Sequence, residues 1–274
     1  MNDLYKPRQN HLLNALPAEE YGRLFPHLEL VQVKAGDIIN YSGDNLRYAY
    51  FPTTCIVSLL YIMENGASSE IAMVGNEGII GVALFMGGGS MPNQTVVLST
   101  GYAYRLRGQQ LMQEFNRNGM LLHLLLHYTQ ALIIQMAQTA ACNRHHTIDQ
   151  KICLWLLQCL DRLAGHELIM THELISNMLG VRREGVTEAV GKLQRAGVIN
   201  CSRGHITVLD RQGLEERVCE CYQVVKAEIE RLLPGGSHRQ YHTFELSIPE
   251  VHETNFSPLR VKTVKCKIGN SLSR

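Results

Sequence analysis

The sequence predicts an α+β chain in three parts: an N-terminal β jelly-roll barrel, a long helix, and a C-terminal helix-turn-helix with a hairpin behind it. Three observations carry this. Residues 28–106 are short apolar or alternating runs punctuated by glycine, which is strand grammar. Near Gly108 the period changes to the three-and-four spacing of a helix. From Thr171 onward, helix, glycine turn, helix and alternating hairpin follow in close order.

The barrel strands are expected at 28–33, 38–41, 48–51, 56–63, 70–74, 95–99 and 102–106, separated by turn signals such as Ser42-Gly43-Asp44, Asn65-Gly66 and Gly87-Gly88-Gly89. Many short strands with such punctuation indicate a sandwich or jelly roll. Residues 79–86 are apolar throughout, and periodicity leaves a short helix open there. Residues 109–141 contain no proline and one glycine, so they are read as one helix of about 50 Å at 1.5 Å per residue. A seam through Leu122, Leu125, Thr129, Leu132, Met136 and Thr139 has coiled-coil spacing and is assigned to a partner helix. Leu121, Leu124, Leu126 and Ile133 broaden the apolar surface beyond that seam, so that one side can cover the barrel while another meets a partner, and burial of the whole helix within one monomer stays open as the alternative.

With 274 residues, 45% of them hydrophobic, the chain is long enough for roughly two domains with substantial cores. The formal charge is +1, so neither nucleic acid nor a membrane surface follows from overall electrostatics. Residues 120–141 are read as too polar for a lipid span and the N-terminus as lacking a secretory run, so no membrane partner is expected. Eight cysteines without framework spacing point to a reducing, cytoplasmic setting.

After a helix that begins at Thr147, Thr171 is the expected N-cap of a helix with Leu174, Ile175, Met178 and Leu179 inward. Gly180 makes the turn, Val181 plugs the angle, and Val186, Ala189, Val190 and Leu193 form the inner stripe of the second helix. The outer face is then Arg182, Arg183, Glu184, Thr187 and Glu188, with Lys192 and Arg195 beyond. Arginine binds guanine bidentately, glutamate accepts from the cytosine amino group, and threonine meets a phosphate or a thymine methyl. Between Thr147 and Pro234 the net charge is −1, whereas Gly180 to His205 carries +3. That local charge sits on the second helix and on Arg203 at the hairpin tip, a wing able to reach the DNA backbone. The competing reading is a solvated charged face on a ligand-binding or protein-interaction module that no longer reads DNA.

The segment Thr171-His-Glu-Leu-Ile-Ser-Asn-Met-Leu-Gly-Val-Arg-Arg-Glu-Gly-Val-Thr-Glu-Ala-Val, continuing through Ala196-Gly197-Val198-Ile199, resembles the winged helix of the Crp/Fnr transcription regulators. With the long helix and the barrel, the resemblance spans roughly residues 10–232. It implies a cyclic-nucleotide-binding-like barrel, a homodimer along the long helix, double-stranded DNA and RNA polymerase as partners, and a small-molecule effector. The domains expected are 1–108 (sensor), 109–142 (dimerisation helix) and 147–234 (winged helix); residues 235–274 lie outside the resemblance and are read from their composition as a flexible basic tail. The family's reading residues are commonly an Arg-Glu pair with an arginine four positions beyond the glutamate. Arg183 and Glu184 match the pair, while Glu188 stands where the second arginine would be. DNA contacts are therefore assigned to Thr171, Arg182, Arg183, Glu184, Thr187, Glu188, Lys192 and Arg203.

Family members that hold cyclic nucleotides look alike around a Gly-Glu-Leu and an Arg-Ser or Arg-Thr segment. Here those stretches read Gly81-Val82-Ala83 and Gln94-Thr95-Val96, and both charged contacts are missing. An effector other than cyclic AMP is expected, in a pocket assigned to Gly81, Val82, Gln94, Thr95, His123 and His127. No cofactor and no metal are expected. An iron-sulfur cluster needs four thiolates, and the barrel and N-terminal segment have only Cys55. A cupin-type metal enzyme needs histidines that residues 28–122 lack, so no catalytic residues are assigned. His123 and His127 are one helical turn apart, which keeps haem open, although packing is the preferred role. Cys142, His145 and His146, and the pair Cys219 and Cys221, have metal-like composition without paired spacing. The last two are read as pointing to different sides of one helix.

Overall fold

The computed structural model describes residues 6–163, 165, 167–202 and 204–233. Arg203 and the tail at 235–274 lie outside the described residues. Helices α1 (His11–Ala15) and α2 (Ala18–Leu24) precede the barrel, a segment the sequence reading left without elements. Asn10 fixes their entry. Its Oδ1 accepts the N–H groups of Leu12 and Leu13, and its Nδ2 donates to the carbonyls of Pro52 and Gly78 at 3.0 and 2.8 Å. A polar side chain without solvent exposure is thereby satisfied on both ends.

The jelly roll comprises β1 (Glu29–Val33), β2 (Ile38–Asn40), β3 (Tyr48–Pro52), β4 (Ile56–Ile62), β5 (Ser68–Val74), helix α3 (Ala83–Met86), β6 (Gln94–Ser99) and β7 (Gly101–Arg107). One sheet has the order β1-β7-β3 and the other β2-β6-β4-β5, with every neighbour antiparallel. All seven expected strands are present, and the short helix within 79–86 forms. Strand β4 is an apolar run because both of its faces are covered. Val57 and Leu59 join the barrel core, whereas Ile56 and Leu60 enter a second core shared with the C-terminal part.

The single helix expected over 109–141 is two helices, α4 (Gly108–Phe115) and α5 (Met120–His145). Asn118 takes a left-handed conformation at φ 58°, a state asparagine tolerates and most residues avoid. Glu20 of α2 then caps α5, its carboxylate accepting the N–H groups of Met120 and Leu121 at 2.8 and 2.9 Å. A negative charge at a helix N-terminus is favoured by the dipole. Helix α5 also runs past the expected end at 142, to His145.

The seam assigned to a partner is corrected too. Leu125, Thr129 and Leu132 are buried within the monomer, and Tyr128 lies against Gly78, where a Cβ would come within 2.4 Å of its ring. The exposed stripe is one residue further on, through Leu126, Gln130, Ile133, Ala137 and Ala140. A shift of one residue on a helix is about 100°, enough to exchange inner and outer faces. By length and composition α5 is also apolar enough to cross a membrane, with a mean hydropathy of 1.3, contrary to the sequence expectation. Its Leu121, Leu124, Leu125 and Leu132 nevertheless belong to the barrel core, and Thr129 and Gln135 are buried beside them.

The remaining elements are α6 (Ile148–Leu160), β8 (Glu167–Ile169), α7 (His172–Leu179), α8 (Arg183–Arg195), β9 (Ile199–Ser202), β10 (His205–Val208), α9 (Arg211–Glu215) and α10 (Cys221–Leu232). Thr147 and Gln150 form a reciprocal capping box at the start of α6. Strand β8 was not expected; it pairs with β10 to give the order β8-β10-β9. Helix α10 packs back along α5 and ends with Leu232 and Leu233 in the barrel core.

Candidate nucleic-acid interface

Helix α7 starts at Thr171, whose Oγ1 accepts the Leu174 N–H at 3.1 Å. It stops at Gly180, which takes the left-handed conformation (φ 62°, ψ 35°) that glycine adopts without steric cost. The Val181 N–H then bonds back to the Ser176 carbonyl, so the chain turns sharply into α8. Val186, Ala189, Val190 and Leu193 of α8 are buried against Ile175 and Met178 of α7 and against Ile152, Trp155 and Leu156 of α6. The inner stripe is the one the spacing predicts.

Arg182, Arg183, Glu184, Thr187, Glu188 and Lys192 are all exposed on the opposite face. Among the described residues Arg183 and Glu184 form no ion pair, so their charged ends are available to a base edge. Lys192 is different. Its ammonium lies 3.0 Å from Glu188, one turn earlier, and 3.4 Å from Asp149 at the start of α6. Both partners hold its pKa above the ordinary lysine value, through the Glu188 hydrogen bond first.

Thr187 belongs to a relay that sequence reasoning missed. Its hydroxyl donates to the Arg183 carbonyl at 3.0 Å and so accepts from the Nδ1–H of His172 at 3.1 Å. That proton placement leaves His172 Nε2 to accept from the Cys201 thiol, 3.5 Å away on β9. The chain Cys201, His172, Thr187 links the wing, α7 and α8 and engages the Thr187 hydroxyl within the protein. Neither His172 nor Cys201 stands in a spacing that announces this.

The head is docked on the barrel through α7. Met178 and Ile175 share a core with Ile56, Leu60, Met73 and Leu98, and Ser68 donates to the Asn177 carbonyl at 3.1 Å. Two buried polar links reinforce the junction. Trp155 donates to Glu70 of β5, and Arg162 donates to Glu77 at 2.7 Å and to the Gln158 carbonyl at 2.9 Å. The arginine fits because Gly75 stands beside its aliphatic stem, where a Cβ would come within 2.8 Å.

The expected effector pocket is brought together only in part. Gly81, Val82 and Thr95 line a cavity of about 20 Å³ with Asn40, Asn93 and Leu132 of α5 among its other walls. That is room for about one water molecule. Its lining has no charged side chain. Gln94 is buried in β6 outside that lining, His123 is exposed on α5, and His127 is half-buried and also outside it.

Comparison with known proteins agrees with this order of parts. Residues 30–118 match the cyclic nucleotide-binding domain and residues 150–217 the Crp-like helix-turn-helix domain. Transcriptional regulator SdrP of Thermus thermophilus is 27% identical over 198 residues, covering 69% of this chain and 93% of its own. The structure of FixK2 from Bradyrhizobium japonicum superposes with a TM-score of 0.61 at 16% identity, over 70% of this chain and 98% of that one. The c-di-GMP responsive regulator CLP of Xanthomonas campestris gives 0.57 at 14% identity, over 70% and 99%. A jelly roll of the cyclic-nucleotide-binding type, a long connecting helix and a Crp-like helix-turn-helix thus occur in series on one chain, which belongs to the Crp/Fnr family of transcriptional regulators.

Proposed function

We propose that this regulator works in the cytoplasm as a homodimer that reads a palindromic DNA site and responds to an effector other than cyclic AMP. The observation that carries the reading is the outer face of α8: Arg183 and Glu184 are exposed, and form no ion pair among the described residues, on a helix whose other face is packed. In this reading Arg182, Arg183, Glu184, the Thr187 methyl and Glu188 meet base edges. Lys192, Thr171 at the start of α7, and Arg203 in the wing meet the phosphates.

The exposed stripe Leu126, Gln130, Ile133, Ala137, Ala140 supplies the dimer contact, since it repeats at four and three residues along a helix otherwise packed. Two α8 helices related by that axis would enter successive major grooves about 34 Å apart. Family membership adds RNA polymerase as a further partner. Cyclic AMP is disfavoured because an enclosed phosphate needs charge-assisted partners contributing about 1.5–3 kcal/mol each, and the small cavity has none. The same reasoning disfavours a cyclic dinucleotide at that spot, although the Xanthomonas regulator is c-di-GMP responsive.

Selection of bound sequences from random DNA by the purified full-length protein tests this directly. Enrichment of a palindrome with half-sites one helical turn apart is expected. Failure of both the full chain and residues 147–234 on a foreign dimerising helix to enrich any sequence would overturn it. The second reading, a winged helix that no longer reads DNA, is favoured by the Glu188–Lys192 pair and the −1 charge of residues 147–234.

A further inference from the structure

Four potential ligands from distant parts of the chain converge where the long helix ends. Cys142 and His146 are one turn apart at the C-terminus of α5. Cys219 precedes α10, and Cys221 is its first residue. The expectation that Cys219 and Cys221 point apart on one helix is therefore corrected: Cys219 lies outside the helix, and the turn brings both sulfurs to the same side. The three sulfurs and one His146 ring nitrogen all lie within 4.8 Å of one another. Cys142 Sγ is 3.7 Å from Cys219 Sγ, and Cys221 Sγ is 3.4 Å from His146 Nδ1.

Those separations are close to the edges of a tetrahedral zinc site. Zn–S bonds of about 2.3 Å give S···S edges of about 3.8 Å, and a Zn–N bond of about 2.0 Å shortens the S···N edge. The surroundings are those of a ligand set. The three cysteines are buried, and His146 is mostly covered. Glu220, the residue between the paired cysteines, places a carboxylate oxygen 3.3 Å from His146 Nε2. A carboxylate there holds the proton on Nε2 and leaves the Nδ1 lone pair facing the sulfurs, the arrangement in which histidine binds metals. Gln138 donates to Cys221 Sγ at 3.1 Å. The last turn of α5 adds the negative end of its dipole, which favours a cation.

We propose that Cys142, His146, Cys219 and Cys221 form a closed Cys3His zinc site that staples the end of the long helix to the start of α10. Three thiolates and one imidazole fill the tetrahedron, so the site is structural, with no open position for a substrate. Its place gives it a mechanical consequence. The chain leaves α5 for α6 at Thr147, one residue past His146, so the staple fixes the direction in which the DNA-reading part departs from the dimer helix.

The full-length protein, purified anaerobically under reducing conditions, is assayed for metal by mass spectrometry and titrated with zinc against a chromogenic chelator. One zinc per chain is expected, and cobalt substitution should give the charge-transfer and ligand-field absorption of a tetrahedral thiolate site. Cys219→Ser and Cys221→Ser should each abolish stoichiometric binding, and Glu220→Gln should weaken it about 10- to 100-fold while leaving the circular dichroism unchanged. Cys201→Ser, which lies outside the cluster, should leave it intact. Absence of chelator-resistant zinc in the wild-type chain, an iron-sulfur chromophore, or a Cys142–Cys219 disulfide in the anaerobic protein would each overturn the assignment.

Discussion

The indole N–H of Trp155 donates to the carboxylate of Glu70 across 3.1 Å, joining the first helix of the DNA-reading part to a barrel strand 85 positions earlier. Glu70 is buried, its second oxygen has no partner among the described residues, and burial pushes its pKa up to about 7 despite the hydrogen bond from Trp155. Its folded pKa lies above that of the unfolded chain, so the folded state binds the extra proton and stability falls as pH rises. The loss begins near the ordinary carboxylate range and is complete above about pH 7, on the order of 3 kcal/mol for that shift. Denaturant midpoints of the wild type should thus fall between pH 5.5 and 7.5 more than those of Glu70→Gln. Parallel pH profiles for the two proteins would refute the point.

Arg162 and Glu77 make the other buried link, with side chains 5% and 10% exposed. Removing one member strands the other charge, which typically costs about 3–5 kcal/mol, whereas removing both is much cheaper. Arg162→Met should lower stability by about that amount, and Arg162→Met with Glu77→Gln should recover part of it. Equal losses in the single and double variants would show that the charge pairing is not what matters there.

Ile133 is 58% exposed at the middle of the outer stripe on α5. In the proposed dimer Ile133→Glu sets two like charges together at the two-fold contact while removing nothing from the monomer core. Light scattering should then find half the wild-type mass with unchanged circular dichroism. Leu125→Ala, on the seam that faces inward, should instead lower stability by about 2–5 kcal/mol without selectively dissociating the dimer.

Arg183→Ala should cost about 1–3 kcal/mol on the selected site and relax preference at one base pair. Lys192→Ala should weaken binding to all sequences alike and lower the salt dependence, since a phosphate contact carries no base information. A base-specific loss at Lys192 would exchange the two roles.

The barrel strands, the helix-turn-helix and its buried stripe were legible in the sequence because each depends on local periodicity and glycine turns. The break at Asn118 was not, because the left-handed residue is asparagine and the capping carboxylate comes from Glu20, a hundred positions away. The partner-facing seam was misassigned because Leu125 and Leu126, side by side, are equally apolar, and only the barrel decides which one it covers. The relay through His172 and the convergence of Cys142 with Cys219 are tertiary facts. Their members are 29 and 77 residues apart, and no spacing rule spans such intervals.

The anchoring of Asn10 and Glu20 bears on how the sensor half can be cut down for crystallisation. A fragment starting at the first barrel strand would look complete by strand count. It would nevertheless leave the carbonyls of Pro52 and Gly78 and the first amides of α5 without their partners. A shortened sensor that keeps these partners must therefore begin no later than Asn10.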